Sequence, residues 1–333
     1  MWRNLSLNSP SRARGGPRDD QGVVLILVLL VLTLISVLVL SWAEEWRTEL
    51  QLAANFREAY QCRRLAEGGV YYVLGKLMET KILEANINNP GGSAEAAAKL
   101  ATAWQGNQES RQVQLPGGTV QVRVEDEGGK LNVNQAAEEN LFTLFTALEF
   151  PPTQIRTMVD SILDWRSRGD QPRPFGAKSA YYLNLDPPYV ARNGPLETLE
   201  ELAWVRGFEN STMVPGLGHW LTAMSTGQGI NVNTAPPAVL VAVGLPPEVA
   251  RSIVMTRRLQ PFRSFQDIAQ LGLPALPLQG QQLNFVSQPF FTIKSTGMVN
   301  KKGGRHTVKA LVRIDLSLPS CWQILSWVED FPG

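Results

Sequence analysis

The chain has 333 residues, and its 31 lysines and arginines nearly balance its 30 aspartates and glutamates, which leaves a net charge of +1. This balance excludes a strongly basic protein whose overall field would draw it to nucleic acid or to acidic lipid. Hydrophobic residues make up 44% of the chain, enough for a membrane span and one or two domains with real cores. Two cysteines, Cys62 and Cys321, exclude a disulfide framework, and the sequence leaves open whether they pair.

An uncharged run from Gln21 to Ala43 predicts a membrane-spanning helix, because about 20 apolar residues cross the hydrocarbon of a bilayer. Arginines concentrate before the run and acidic residues predominate after it, which predicts a single pass with a cytoplasmic N-terminus and an exported body. A cleaved signal peptide and an uncut signal anchor remain as alternatives. A signal peptide usually has a shorter apolar core, of about 7–15 residues, and a small-x-small cleavage site that residues 41–43 match poorly.

The helical pattern continues beyond the span to Glu79, with apolar residues such as Val70, Leu74 and Leu77 on one helix face. Within this stretch, the adjacent glycines Gly68 and Gly69 lower helix stability. Residues 86–93 have the composition of a loop.

Strands are predicted near both ends of the exported body. Residues 112–115 and 119–125 flank a Pro-Gly-Gly turn, and the second of them alternates valine with polar residues. The same alternation returns at 290–298 and 305–315. We therefore expect one antiparallel sheet built from both regions, with the intervening part of the chain inserted between them.

The intervening residues, 130–288, are predicted to be helical and carry an internal duplication. Three pairs of similar segments define it: 131–136 with 230–235, 147–152 with 242–247, and 199–203 with 265–269. Each unit has an Asn-x-Asn turn, a short helix, a Pro-Pro break, a second helix, a loop and a third helix. The predicted fold is α+β: a long N-terminal transmembrane helix and an antiparallel sheet, with a large helical insert of two helix-hairpin-helix-like units.

The residues that would carry catalysis are scarce. Only His219 and His306 could serve a Ser-His-Asp or Cys-His arrangement, and neither has sequence neighbours that suggest activation. The cysteine and histidine spacings fit no zinc finger, and the chain contains no phosphate-binding glycine loop. We expect a protein that is not an enzyme.

Acidic residues cluster between Asp160 and Glu201, where calcium could find carboxylate and carbonyl oxygens. The candidate calcium ligands are Asp164, Asp170, Glu197 and Glu201. The alternative is that these acids are solvated and balanced by Arg166, Arg168, Arg173 and Lys178.

The helix-hairpin-helix pattern also raises DNA binding, in which a hairpin presents backbone amides to phosphate. Here the second hairpin contains Pro246 and Pro247, which have no amide hydrogen to offer in such a turn, followed by Glu248, which would repel phosphate. Arg251, Arg257, Arg258 and Arg263 form a modest basic set with no counterpart recognised in the first unit. The sequence therefore favours protein contact over nucleic-acid binding as the use of these units.

Taken together, these features resemble the general secretion pathway protein K family, the minor pseudopilins of the type II secretion system. The resemblance covers nearly the whole chain. It is carried by a prepilin-type junction and several short blocks: Gly22/Val23, 162–165 (ILDW), 181–182 (YY), 192–196 (RNGPL), 201–202 (EL) and 230–236 (INVNTAP). The resemblance implies cleavage after Gly22 by the prepilin peptidase and methylation of the new amino terminus at Val23. The fifth mature residue is then Leu27. Most pilin-like subunits carry glutamate at this position, and the protein K family, like this chain, lacks it.

The resemblance further implies an inner-membrane protein with its body in the periplasm, which caps the tip of the pseudopilus and promotes its assembly for protein export across the outer membrane. The implied partners are the I-type and J-type minor pseudopilins, the major pseudopilin, the inner-membrane assembly platform and the prepilin peptidase. The implied organisation is a leader (1–22), a transmembrane segment (23–43), a stalk helix with the first part of a pilin-like domain (44–129), the helical insert (130–288) and C-terminal strands (289–333).

One departure from the family concerns calcium. Family members commonly carry acids around the Asp-Trp block and in a Gly-Ala-Glu-Asp stretch, whereas this chain has residues 166–168 (RSR) and 176–179 (GAKS).

Two other functional hypotheses are a membrane-anchored, competence-type DNA-binding protein and a pilin of another surface fibre.

Overall fold

A computed structural model describes residues 20–87, 103–104, 106–209, 214–224, 229–270, 283–299, 303–317 and 319–330. The predicted leader therefore lies outside the described residues up to position 19, as does the predicted loop at 86–93 from position 88 onward. The chain divides between Arg57 and Glu58 into two units. The first unit contains the beginning of helix α1, and the second contains everything that follows.

Helix α1 runs from Asp20 to Ile87, eight residues beyond the predicted end at Glu79. Among the residues that the structure describes, it is the one helix long and apolar enough to cross a membrane, and no part of its most apolar stretch is buried. Large apolar side chains from Val23 to Leu40 are all exposed, as a lipid-facing helix requires. The long apolar N-terminal helix that the sequence predicts is confirmed.

A five-stranded antiparallel sheet forms from the two predicted regions, in the order β1-β2-β7-β8-β9. Its strands are β1 (Asn107–Leu115), β2 (Gly118–Asp126), β7 (Phe290–Met298), β8 (Arg305–Ile314) and β9 (Trp322–Asp330). The central pairing joins β2 to β7, with Thr119 opposite Met298 and Asp126 opposite Phe291. The sequence prediction places the first strand five residues too late and misses β9, an edge strand whose residues 322–329 are half-buried or exposed and lack clean alternation.

Among the described residues between β2 and β7, the regular secondary structure is mainly helical. Its helices are α2 (Glu138–Ala147), α3 (Pro152–Arg166), α4 (Ser179–Tyr182), α5 (Val214–Leu217), α6 (Pro237–Ala242), α7 (Pro247–Thr256) and α8 (Phe265–Ala269), with the 3-10 helices η1 (Glu127–Gly129) and η2 (Leu199–Trp204). Two short parallel pairs complete it: β3 (Leu131–Asn132) with β4 (Leu221–Thr222), and β5 (Ile230–Asn231) with β6 (Leu283–Asn284). We call residues 130–288 the helical insertion.

Two sets of buried apolar residues form separate cores in the part of the chain from Glu58 onward. One contains Leu65 to Leu77 of α1 and the inward-facing residues of β2, β7 and β8. The other consists of residues between Leu131 and Leu283, all within the helical insertion. An α+β protein with a helical part between sheet strands is thus confirmed, while the exact domain boundaries given above stay predictions.

Close packing of α1 on the sheet explains one glycine of the Gly68–Gly69 pair. A Cβ built on Gly69 would overlap Ser295 Oγ of β7 and lie 2.5 Å from Val120 Cγ1 of β2. Gly75, on the exposed side of the same helix, has no heavy atom within 4 Å of the equivalent position. Glycine at position 69 therefore lets the helix approach the sheet.

We predict that Gly69→Ala lowers the free energy of unfolding by about 1–3 kcal/mol, because the added methyl overpacks the contact between helix and sheet. Gly75→Ala is the matched control and should instead raise stability by up to about 1 kcal/mol through helix propensity. Denaturant unfolding of the detergent-solubilised chain measures both changes. Equal effects of the two substitutions would show that the helix does not pack on the sheet in this way.

Candidate functional site

The first half of the duplication is organised by its Asn-x-Asn turn. Asn132 Oδ1 accepts a hydrogen bond from the backbone N–H of Asn134 at 2.8 Å. The Asn134 amide then binds the backbone of Leu196 twice, accepting from its N–H at 2.7 Å and donating to its carbonyl at 2.8 Å. A buried turn thereby anchors the distant segment that leads into η2, because its side chains supply the hydrogen bonds that this backbone needs.

The second half repeats these bonds at equivalent positions. Asn231 Oδ1 accepts from the N–H of Asn233 at 3.0 Å, and the Asn233 amide accepts from and donates to the backbone of Phe262, each at 2.8 Å. Phe262 precedes α8 by the same number of residues as Leu196 precedes η2. The duplication is therefore a repeat of hydrogen-bond architecture, beyond the repeat of sequence that revealed it.

An arginine side chain is hydrogen-bonded to the backbone of each turn, and the sequence analysis predicts neither contact. Arg166 donates to the carbonyls of Val133 and Ala136 at 2.6 and 2.7 Å. Arg257 donates to the carbonyls of Val232 and Ala235 at 2.8 and 2.7 Å. Burial lowers the pKa of both guanidinium groups. The pKa of Arg257 falls to about 10, so this group stays charged at neutral pH.

These contacts correct two interpretations of the sequence. Arg166 is not a solvated counter-ion for nearby acids. Arg257 also has an equivalent in the first half of the duplication, namely Arg166. Because the Arg257 guanidinium is bound to two backbone carbonyls, it is not available to contact phosphate. The signal that could have identified the pair was the position of each arginine at the end of the second helix of its unit.

The third helix of each unit begins with a carboxylate that accepts hydrogen bonds from the backbone. Glu201 Oε1 accepts from the N–H groups of Glu197 at 2.7 Å and Thr198 at 3.3 Å. In the second unit Asp267 Oδ2 accepts from the N–H groups of Arg263 at 2.7 Å and Ser264 at 3.1 Å. Both acids complete capping boxes, an arrangement that satisfies the free donors of a helix start.

The four predicted calcium ligands are not gathered into one site. Asp164 is buried, and its Oδ2 accepts from the N–H of Arg173 at 3.0 Å, whereas Asp170 is exposed. Glu201 caps η2, and both Glu197 and Glu201 bind the Arg192 guanidinium. Within the described ranges, no three Asp, Glu, His or Cys side chains form a group that could hold a metal ion. The residues present therefore do not fit the predicted calcium site.

A buried carboxylate connects the sheet to the second unit of the insertion. Asp126, at the end of β2, accepts hydrogen bonds from Asn231 Nδ2 at 2.7 Å, Thr234 Oγ1 at 2.9 Å and the Gly128 N–H at 2.8 Å. Burial is the main cause that raises the pKa of Asp126 from its ordinary 3.8 to about 6, and these hydrogen bonds act in the opposite direction. The Asn-x-Asn turn is thus bonded to the strand that precedes the insertion.

Next to this carboxylate lies a buried ion cluster. Lys130 Nζ is 2.7 Å from Glu125 Oε2 and 2.7 Å from Glu127 Oε1, and Thr292 of β7 donates to Glu127 at 2.7 Å. Removing Lys130 would leave these two buried carboxylates without the positive charge that they share. The place where the chain leaves the sheet is therefore fixed by charge as well as by strand pairing.

The two histidines contact glutamates at separate places. His219 Nδ1 is 3.1 Å from Glu125, and His306 Nε2 is 3.7 Å from Glu329. Cys62 is a free, buried thiol whose Sγ donates to the carbonyl of Gly304 at 3.0 Å, and Cys321 is also free.

At the start of α1 the predicted junction lies in an exposed helix. Gly22, Val23 and Leu27 are exposed, with 62% of Leu27 accessible. A Cβ on Gly22 would have no heavy atom within 4 Å. Cleavage and methylation at this junction, and the role of Leu27, stay predictions.

We predict that Arg257→Ala lowers the free energy of unfolding by about 2–4 kcal/mol, since two carbonyls lose a charged donor. Arg258, the exposed neighbour in sequence, is the matched control, and Arg258→Ala should change stability by less than about 0.5 kcal/mol. Denaturant titration of the full chain measures both. Similar losses in the two variants would contradict the anchoring role of Arg257.

We also predict a pH dependence that Asp126 causes. Its pKa is higher in the folded state than the ordinary 3.8, so the folded protein holds the proton more tightly between about pH 4 and 6. The stabilisation is fully present below about pH 4 and is lost as the pH rises through 6, with a size of about 2–3 kcal/mol. Asp126→Asn cannot titrate. The difference in unfolding free energy between wild type and variant should therefore fall from pH 4 to pH 7, and a constant difference would contradict the assignment.

Comparison with known proteins identifies the family. The chain matches the family profiles described as "Type II secretion system (T2SS), protein K" over residues 120–226 and 230–286. It is 25% identical over 273 residues to the type II secretion system protein K of Pseudomonas aeruginosa, a match that covers 77% of this chain and 79% of that protein. It is also 25% identical over 276 residues to the Klebsiella pneumoniae protein of the same name, covering 77% and 80% of the two chains.

A solved structure has the same fold. It comes from the GspK-GspI-GspJ complex of the enterotoxigenic Escherichia coli type 2 secretion system, and the match has a TM-score of 0.54 at 19% identity, covering 86% of this chain and all of that one. Together with the apolar N-terminal helix, these likenesses confirm the resemblance seen in the sequence. The chain belongs to the type II secretion system protein K family, the membrane-anchored minor pseudopilins of that system.

Proposed function

We propose that this protein caps the tip of the type II secretion pseudopilus and promotes its assembly for protein export across the outer membrane. The observation that carries the proposal is a helix of apolar side chains with no acid near its predicted mature start, joined in one chain to a sheet that bears a bulky insertion. A subunit in the middle of a helical fibre contacts one neighbour above it and another below it. This chain is suited to contact a neighbour on one side only.

Leu27 is the first reason. A carboxylate in hydrocarbon is expensive unless it finds a partner, such as the amino terminus of a neighbouring subunit. Leu27 has no charge to offer, so the chain lacks the contact that would attach it to a subunit ahead of it. Its exposed apolar surface can still pack beside other apolar helices.

The helical insertion is the second reason. It has a core of its own, made of residues between Leu131 and Leu283, and so adds a body of domain size to the sheet. A subunit stacked beyond it would have to accommodate this body. A terminal position in the fibre requires no such accommodation.

The proposed partners follow from this position. The solved relative was crystallised as a GspK-GspI-GspJ complex, which supports the I-type and J-type minor pseudopilins as immediate partners here. The major pseudopilin and the inner-membrane assembly platform would contact the same fibre, and the prepilin peptidase would cut after Gly22 before assembly. We place the leader in the cytoplasm, the span in the inner membrane and the body in the periplasm.

Gold-labelled antibody against the helical insertion tests this proposal on pseudopili sheared from cells that overproduce the major subunit. We expect label at one end of a fibre and none along its length, because a capping subunit has a single place. Gly22→Ala is the control: mass spectrometry should show the leader still attached, and the label should disappear from fibres. Label spaced along the shaft, or fibres of normal number without this protein, would contradict capping and assembly respectively.

A further inference from the structure

A buried lysine in the helical insertion has an unusual set of partners. Lys178 is only 3% exposed, and four oxygens lie within hydrogen-bonding distance of its Nζ. These are the backbone carbonyls of Asp164 and Ser167 at 2.6 and 2.7 Å, Ser167 Oγ at 3.2 Å and Asn193 Oδ1 at 3.2 Å. An ammonium group has three hydrogens, so this set saturates it.

None of these four oxygens belongs to a carboxylate. No acidic side chain in the described part of the chain forms an ion pair with Lys178, whereas Lys130, also buried, pairs with two glutamates at 2.7 Å. Carbonyl, hydroxyl and amide oxygens converging on one positive charge are the donor types that surround a bound hard cation. The ammonium of Lys178 therefore occupies a cation cradle.

The cradle joins two separate segments. Asp164 and Ser167 lie at the C-terminal end of α3, where the helix dipole favours a positive charge. The Asp164 carbonyl also accepts a hydrogen bond from the Ser167 N–H at 3.3 Å. Asn193 lies in the loop before η2, and the adjacent Gly194 N–H donates to the carbonyl of Trp165 at 3.2 Å. Lys178 thus holds the long connection between α3 and η2 against the C-terminal end of α3.

Nearby acids are engaged with backbone donors of the same connection. Asp164 Oδ2 accepts from the N–H of Arg173, and Asp160 Oδ2 accepts from the N–H of Phe175, both at 3.0 Å. A Cβ on Gly176 would overlap Asp164 Oδ2, so the backbone lies directly against this carboxylate. These acids shape the loop with their oxygens, and a divalent ion would have to take those oxygens away from the backbone.

We propose that the ammonium of Lys178 is the built-in cation of this connection, so that the loop between α3 and η2 is ordered without a divalent metal. A calcium ion brought to the same carbonyls would meet a fixed positive charge a few ångströms away and would be repelled. These contacts of Lys178 do not depend on what the protein does in the fibre.

The wild-type test uses the full-length protein in detergent and calcium chloride as the probe. Its thermal midpoint should differ by less than about 1 °C between excess EGTA and millimolar CaCl2, because no site is left for the metal to stabilise. A rise of several degrees with calcium would overturn the proposal, whatever the variants show.

Substitutions then test the lysine itself. Lys178→Met keeps the length of the side chain but removes the charge, and should lower the midpoint by about 5 °C or more in either solution. Lys294→Met, at an exposed position on β7, is the matched control and should stay within about 2 °C of wild type. A Lys178→Met protein as stable as the control would overturn the proposal.

Lys178→Glu completes the set. It should be less stable than wild type in EGTA and should recover several degrees in millimolar CaCl2, because it adds a carboxylate to the carbonyl oxygens of the cradle. Calcium should not rescue Lys178→Met. Failure of calcium to stabilise the glutamate variant would show that the cradle is not a cation site and would overturn that part of the proposal.

Discussion

The pairing of β2 with β7 is the constraint on which the rest of the structure depends. It joins residues 119–126 to residues 291–298 in one antiparallel register, so the chain leaves the sheet and returns to it at adjacent points. The apolar face of this sheet then packs on α1, closely enough that Gly69 has no room for a side chain. One chain can therefore carry a long helix, a sheet that packs on the later part of this helix, and a helical insertion with its own core.

Buried polar groups specify how the helical insertion is attached and folded. Asp126 binds the second Asn-x-Asn turn, and Lys130 forms ion pairs with two glutamates where the chain leaves β2. Inside the insertion, Arg166 and Arg257 satisfy backbone carbonyls that the turns leave without partners. Each of these groups would be costly if unpaired, so together they favour a single arrangement of the insertion over alternative packings.

The sequence reveals periodic and repeated features of this fold well. Alternating valines at 120, 122 and 124 predict β2, and the repeated asparagines predict the duplicated turns. Contacts that depend on the tertiary structure are harder to predict from the sequence. Apart from its place at the end of the second helix, no local feature distinguishes Arg257, whose guanidinium is bound to backbone, from the exposed Arg258. Lys178 looks in the sequence like a solvated counter-ion, although it is buried and hydrogen-bonded. Glu201 was predicted as a metal ligand because it is acidic, but its position three residues after Thr198 gives it a capping role. The edge strand β9 lacks the alternation that one buried face imposes.

The central claim is that the sheet closed on α1 is a complete folding unit that carries the helical insertion. The most direct measurement is thermal unfolding, followed by circular dichroism, of a chain in which residues 127–290 are replaced by Asn-Gly. Because Asp126 and Phe291 are cross-strand partners, a two-residue turn of this type can join them. We expect this chain to keep its strand signal and to unfold in one cooperative transition. Loss of the strand signal or of the cooperative transition would contradict the claim and show that the sheet depends on the insertion for its fold.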